Sequence, residues 1–230
     1  MIERQPRSVL IGQVVGAMIA ALVVTAASYI WRLAQAQSPQ VGLAIYVGSI
    51  ILLFVGALVI FRRILRRGYE QHQRLTLIPF FLQILIWGLF FAFPCIYNPY
   101  DWAWSQSHTS EVIPVLGFLG WACVGIGLLI LVISMAWLGW SRSSGLEARR
   151  LETTGPYRFT RNPQLMGGVL LIIGYILLWP SWCALGWLVL FAVMMHMMVL
   201  TEEEYLRCIY GEEFEQYCKQ IPRYLGRARK

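Results

Sequence analysis

The residues best able to do chemistry stand in two groups. Arg158, Arg161 and Asn162 lie in the stretch Gly155-Pro156-Tyr157-Arg158-Phe159-Thr160-Arg161-Asn162-Pro163, and Glu202, Glu203 and Glu204 follow the next long apolar segment. Guanidinium groups are forked donors that suit a carboxylate or a phosphate. Gly155-Pro156 marks a turn, and Pro163 fits the first turn of a helix, where its missing N–H costs nothing. The free N–H groups of that helix start add to the attraction for an anion. The alternative is a basic loop whose arginines meet anionic lipid heads.

The three glutamates suit a cationic ligand, an arginine, or a proton to be moved. At a negatively charged membrane face they are poorly placed as solubilising decoration. Successive helical residues point about 100° apart, so one or two of the three can face a single site. A solvated face with plain ion pairs is the alternative. His196 lies two turns before Glu203 and shares its face. An ionisable group inside an apolar segment is a functional candidate, or else a packing residue.

Both groups need an element that brings them together. The apolar stretch Leu165–Leu200 is broken at Trp179-Pro180-Ser181-Trp182, which reads as two membrane helices folded back as a hairpin. At ~1.5 Å per residue, Arg161 and Glu203 both lie about 30 Å from the turn. They therefore reach the same side of the bilayer.

The wider sequence supports a membrane setting. Of 230 residues, 58% are hydrophobic and 13% charged, with a mean hydropathy of +0.58; a soluble domain carries about a quarter charged residues. Six apolar segments are expected to span: Val9–Trp31, Val41–Phe61, Leu77–Tyr97, Val112–Trp140, Gln164–Trp179 and Trp182–Leu200. The fifth is short and needs Trp179 as an interfacial anchor. The first is longer than a signal-peptide core and is expected to be retained. The fold class is thus an all-α, polytopic helix bundle of about six spans, with a C-terminal hairpin and an amphipathic tail. Residues 1–145 form the N-terminal transmembrane helices, and 146–230 the loop, hairpin and tail that carry the chemistry.

The net charge of +7 is explained by sidedness rather than by nucleic acid, for which no role is expected. All Lys and Arg except Arg32 fall at the termini or in the loops 62–74 and 142–161. Both termini are therefore expected in the cytoplasm, with the bilayer as the surrounding partner. The tail from Thr201 onward reads as two short amphipathic pieces, interrupted at Gly211 and ended by Pro222. Gly12 and Gly16 fit a GxxxG helix-packing motif. The five cysteines show no CxxC, and no metal pattern is visible.

Gly155-Pro156-Tyr157-Arg158, Arg161-Asn162-Pro163 and Gly167 resemble the GPYRxxRHPxYxG signature of the isoprenylcysteine carboxyl methyltransferase and phospholipid methyltransferase superfamily. Glu202-Glu203, Leu206, Tyr210-Gly211, Phe214, Tyr217 and Ile221-Pro222-Arg223 resemble its C-terminal block in order and spacing. The resemblance covers Leu151–Leu225. It implies an integral-membrane methyltransferase that uses S-adenosyl-L-methionine, with a lipophilic or small acceptor (a carboxylate, an amine or a thiol).

The same resemblance implies cofactor contacts from Gly155, Pro156, Tyr157, Arg158, Arg161, Asn162, Pro163, Leu165, Gly167, Glu202, Glu203, Tyr217 and Pro222. The catalytic set expected is Glu203, Glu202, Arg161 and His196. Three positions depart from the family pattern: Asn162 replaces a usual His, Leu165 a usual Tyr, and Met198 a frequent Arg. A membrane reductase with a nicotinamide cofactor is one alternative reading. A non-enzymatic scaffold is another; a channel is disfavoured because the first four spans are almost purely apolar.

Overall fold

The computed structural model describes residues 39–72, 76–96, 113–139, 151–180 and 182–225, with isolated positions between 22 and 29. The expected first span Val9–Trp31, the Gly12–Gly16 motif and the loop 142–150 lie outside the described residues. Every regular element among the described residues is helical.

Helix α1 (Pro39–Val59) runs on through a π-helical segment (Ile60–Leu65) into a last α-helical piece (Arg66–His72). Helix α2 spans Leu77–Ile96 and α3 spans Ile113–Leu138. A single 3-10 turn (Gly155–Arg158) precedes α4 (Pro163–Leu178), which has Pro163 in its first turn. Helix α5 (Trp182–Tyr210) and the short α6 (Glu212–Gln220) are the last described helices. Among the described residues three stretches, Gln40–Gln71, Val115–Leu138 and Trp182–Tyr210, are long and apolar enough to cross a membrane. Two shorter apolar helices, Ile78–Phe90 and Pro163–Leu178, accompany them.

The expected tail of two separate amphipathic pieces takes a different form. The first is the end of α5, which continues unbroken to Tyr210. Twenty-nine residues make a helix about 43 Å long, more than the ~30 Å hydrocarbon core requires. The surplus turns carry the glutamates beyond the apolar segment. Gly211, at φ +49°, then breaks the helix and starts α6.

The packing fixes the helix directions. Phe90 of α2 stacks on Trp187 of α5, with ring centroids 5.1 Å apart, and Gln83 lies against Met198, so α2 and α5 are antiparallel. The Tyr46 hydroxyl of α1 donates to the Cys183 carbonyl at 2.9 Å, and Arg62 reaches Thr201, so α1 runs parallel to α5. Helices α3 and α4 are the closest-packed pair. A Cβ on Gly127 would fall 2.7 Å from the Gly167 carbonyl oxygen, and one on Gly174 the same distance from the Gly120 oxygen. Backbones that approach so closely exclude any side chain, which is how small residues join membrane helices. Gly167 thus packs α4 against α3.

Candidate active site at the ends of α4, α5 and the tail

The 3-10 turn and the Arg161-Asn162-Pro163 segment are sewn to the end of the chain. The Arg161 N–H donates to the Pro222 carbonyl at 3.0 Å. Asn162 Nδ2 and Thr160 Oγ1 both donate to the Arg223 carbonyl, at 2.9 and 3.1 Å. The Tyr217 hydroxyl donates to the Tyr157 carbonyl at 2.8 Å. Asn162, in the place of a usual His, is therefore a tether for the tail. Leu151, Phe214 and Tyr217 form a small apolar core beneath these bonds.

Glu203 is the centre of an ion cluster and only 4% of its side chain is exposed. Arg223 holds it at two points, Nε to Oε1 at 2.9 Å and Nη2 to Oε2 at 2.7 Å. Arg161 Nη1 approaches Oε1 to 3.0 Å, and Arg207 Nη2 lies 3.6 Å from Oε2. Arg207 is shared with Glu215 at 2.8 Å. Three guanidiniums thus face two carboxylates and leave a net positive charge. Arg161 also contacts the Cys218 sulfur, while its Nε is buried with no hydrogen-bond partner among the described residues.

A cavity of about 180 Å³ opens beside this cluster. Tyr157, Arg161, Asn162, Pro163, Leu165 and Tyr217 line it from the loop, α4 and α6. Glu202, Glu203 and Tyr205 line it from α5, and Tyr69 lines it from the end of α1. Glu202 is half-buried and makes no hydrogen bond or ion pair with the described residues. Burial, with Glu202 nearby, raises the Tyr157 phenol well above its ordinary range. Tyr157 therefore stays protonated, and its hydroxyl accepts a 3.4 Å contact from Gln164.

Other residues from the sequence reading stand away from the cavity lining. Gly155, at φ +57°, lies against the Trp137 ring, where a Cβ would collide. The Pro156 carbonyl closes the 3-10 turn by accepting from the Phe159 N–H. Arg158 is exposed and borders a separate shallow cleft with Glu213 and Gln220. Pro222 acts through its carbonyl. His196 is exposed, and its Nδ1 lies 2.8 Å from the Tyr224 hydroxyl. The shared face of His196 and Glu203 is real, since Tyr224 meets one and Arg223 the other.

The glutamate run divides as helical geometry requires. Glu202 faces the cavity and Glu203 the arginine cluster, while Glu204 turns to Arg62 at 2.9 Å and Arg66 at 3.4 Å. Sequence reasoning missed Tyr69, Arg62 and the role of Arg223. Arg223 carried a signal, because it stands beside Pro222 in the C-terminal block. Tyr69 carried none, because its neighbours in space are remote in sequence.

Residues 115–213 match the family model of the phospholipid methyltransferases. No curated protein and no solved structure matches the chain. The matched segment contains most of α3, all of α4 and α5, and the loop carrying Arg161. The match implies a membrane methyltransferase, and the part of the chain that supplies most of the cavity is similar to the phospholipid methyltransferase family, in agreement with the superfamily that its two motif blocks resemble.

Proposed function

We propose that this chain is an integral-membrane, S-adenosylmethionine-dependent methyltransferase. It acts on a lipophilic or small acceptor (a carboxylate, an amine or a thiol) at the cytoplasmic membrane face, with both termini on that side. The observation that carries this reading is the meeting of Arg161, Glu202 and Glu203 at one cavity. The donor set fits such a cofactor. Arg161 has an unused buried N–H for an amino-acid carboxylate, and Glu202 is a free carboxylate for an ammonium or sulfonium. The cavity is smaller than the ~300–1,000 Å³ of usual ligand pockets. It takes the amino-acid end, and its walls must part to seat the nucleoside.

When bound, the cofactor supplies an electrophilic methyl group. The protein's task is to orient the reactants and exclude water. Arg161 and Arg223 hold the Glu203 carboxylate fixed. Glu202 is the better group to accept a proton from an amine or thiol acceptor, because no arginine engages it. A carboxylate acceptor needs no base. His196 lies off the cavity lining, and a catalytic part for it requires the Tyr224 contact to open.

Isothermal titration of the detergent-solubilised protein tests the cofactor. Binding of S-adenosylhomocysteine without response to NADPH is the expected outcome, and the reverse result overturns the proposal. Incubation with methyl-labelled cofactor and a membrane lipid extract then reveals the acceptor.

A further inference from the structure

Tyr69 belongs to the Arg66–His72 end of α1, outside the segment that matches the methyltransferase family model. The π-helical segment Ile60–Leu65 shifts the helical register just before it, and such turns are frequent at functional sites. Arg62 fastens this end to α5, with Nη1 3.1 Å from Thr201 Oγ1 and Nη2 2.9 Å from Glu204 Oε1. The Tyr69 ring, 5% exposed, stacks on Tyr205 with centroids 4.1 Å apart and planes 22° apart. Both rings line the cavity. So does Glu202, which lies three residues before Tyr205 on the same side of α5.

The cavity lining therefore carries two kinds of group. One is Arg161, with its unused N–H. The other is two stacked phenol rings and a carboxylate that no arginine engages among the described residues. Aromatic rings attract a cation held within ~6 Å, most strongly where water is excluded. A carboxylate adds to that attraction. A neutral sulfur gains little from either.

We infer that Tyr69, with Tyr205 and Glu202, forms the cation-accepting side of this cavity, so that the N-terminal helices supply a specificity-determining residue to the site. The inference rests on the methyltransferase reading and goes beyond it. It makes the site favour the sulfonium form of the cofactor over the neutral thioether left after transfer. It also means that the loop, hairpin and tail do not make a complete site without α1.

The test compares two probes on the full-length protein in detergent. Sinefungin carries an amine near the reacting position and is cationic there, whereas S-adenosylhomocysteine is neutral at its sulfur. Isothermal titration should show Tyr69→Leu weakening sinefungin by about 2- to 30-fold, with S-adenosylhomocysteine changed much less. Tyr69→Phe, which keeps the ring, should restore the preference. Glu202→Gln should also lower sinefungin selectively, and it carries the test alone if Tyr69→Leu does not fold. Equal changes for both probes, or none, overturn the inference while leaving the methyltransferase reading standing. A wild-type protein that binds neither probe overturns both.

Discussion

Glu203 and Arg223 are joined at two points, 2.9 and 2.7 Å, and this pair ties the end of α5 to the last described turn of the chain. Around it, the Arg223 carbonyl receives Thr160 and Asn162. One residue thus uses its side chain to fix the carboxylate and its backbone to fix the 155–163 loop. The position of Arg161 depends on this double attachment.

We predict that Arg223→Ala loosens the loop as well as the ion cluster. Charge-assisted hydrogen bonds contribute roughly 1.5–3 kcal/mol each, but Glu203 keeps Arg161, so the net loss should fall near the lower figure. Thermal unfolding in detergent should show a lower Tm, and limited proteolysis should cut the 155–163 loop faster. An unchanged Tm and cleavage rate would mean that the backbone bonds hold the tail alone.

Glu203→Gln should be the more damaging change. It leaves Arg161, 11% exposed, and Arg223 without their shared carboxylate. Breaking a buried pair on one side typically costs about 3–5 kcal/mol. Methyl transfer should fall with stability, whereas a Glu203→Asp variant should retain part of both. A fully stable Glu203→Gln protein would remove the cluster from the structural argument.

Arg161→Ala should weaken S-adenosylhomocysteine binding by about ten-fold or more, the equivalent of one lost charge-assisted bond. Arg158→Ala, at an exposed position bordering the other cleft, should leave that affinity nearly unchanged. Comparing the two by titration separates a cofactor ligand from a general contribution of positive charge. Equal losses from both would favour the latter.

Gly127→Leu and Gly174→Val should each force α3 and α4 apart, because the added Cβ alone meets backbone at 2.7 Å. Overpacking of this kind costs about 1–3 kcal/mol or more. Gly125→Leu, where a Cβ meets nothing within 4 Å, is the matched control. Yield of monodisperse protein in detergent should fall for the first two variants only.

Cys218 should react slowly with maleimides. Burial pushes its thiol above the ordinary range, against the opposing effect of Arg161. A raised pKa means less thiolate at any pH below it, so labelling should accelerate only as the medium becomes alkaline. In variants retaining one cysteine, exposed Cys208 should label faster than Cys218 at neutral pH. Removing Arg161 should slow Cys218 further, since its positive charge favours the thiolate.

The sequence alone determined that the chain is helical and membrane-bound, and that Arg161 and Glu203 lie at the same depth. Those properties follow from local quantities: apolar length, a Trp-Pro break, and equal rise on either side of a turn. Helix periodicity likewise showed that the three glutamates could not share a target. Only the tertiary structure decided which way each one faces, because that depends on the rotation of α5 against neighbours remote in sequence. It gave Glu204 to Arg62, held Glu203 between Arg161 and Arg223, and left Glu202 to the cavity. It also brought in Tyr69, since a contact between helices joined through most of the chain leaves no pattern in either segment by itself.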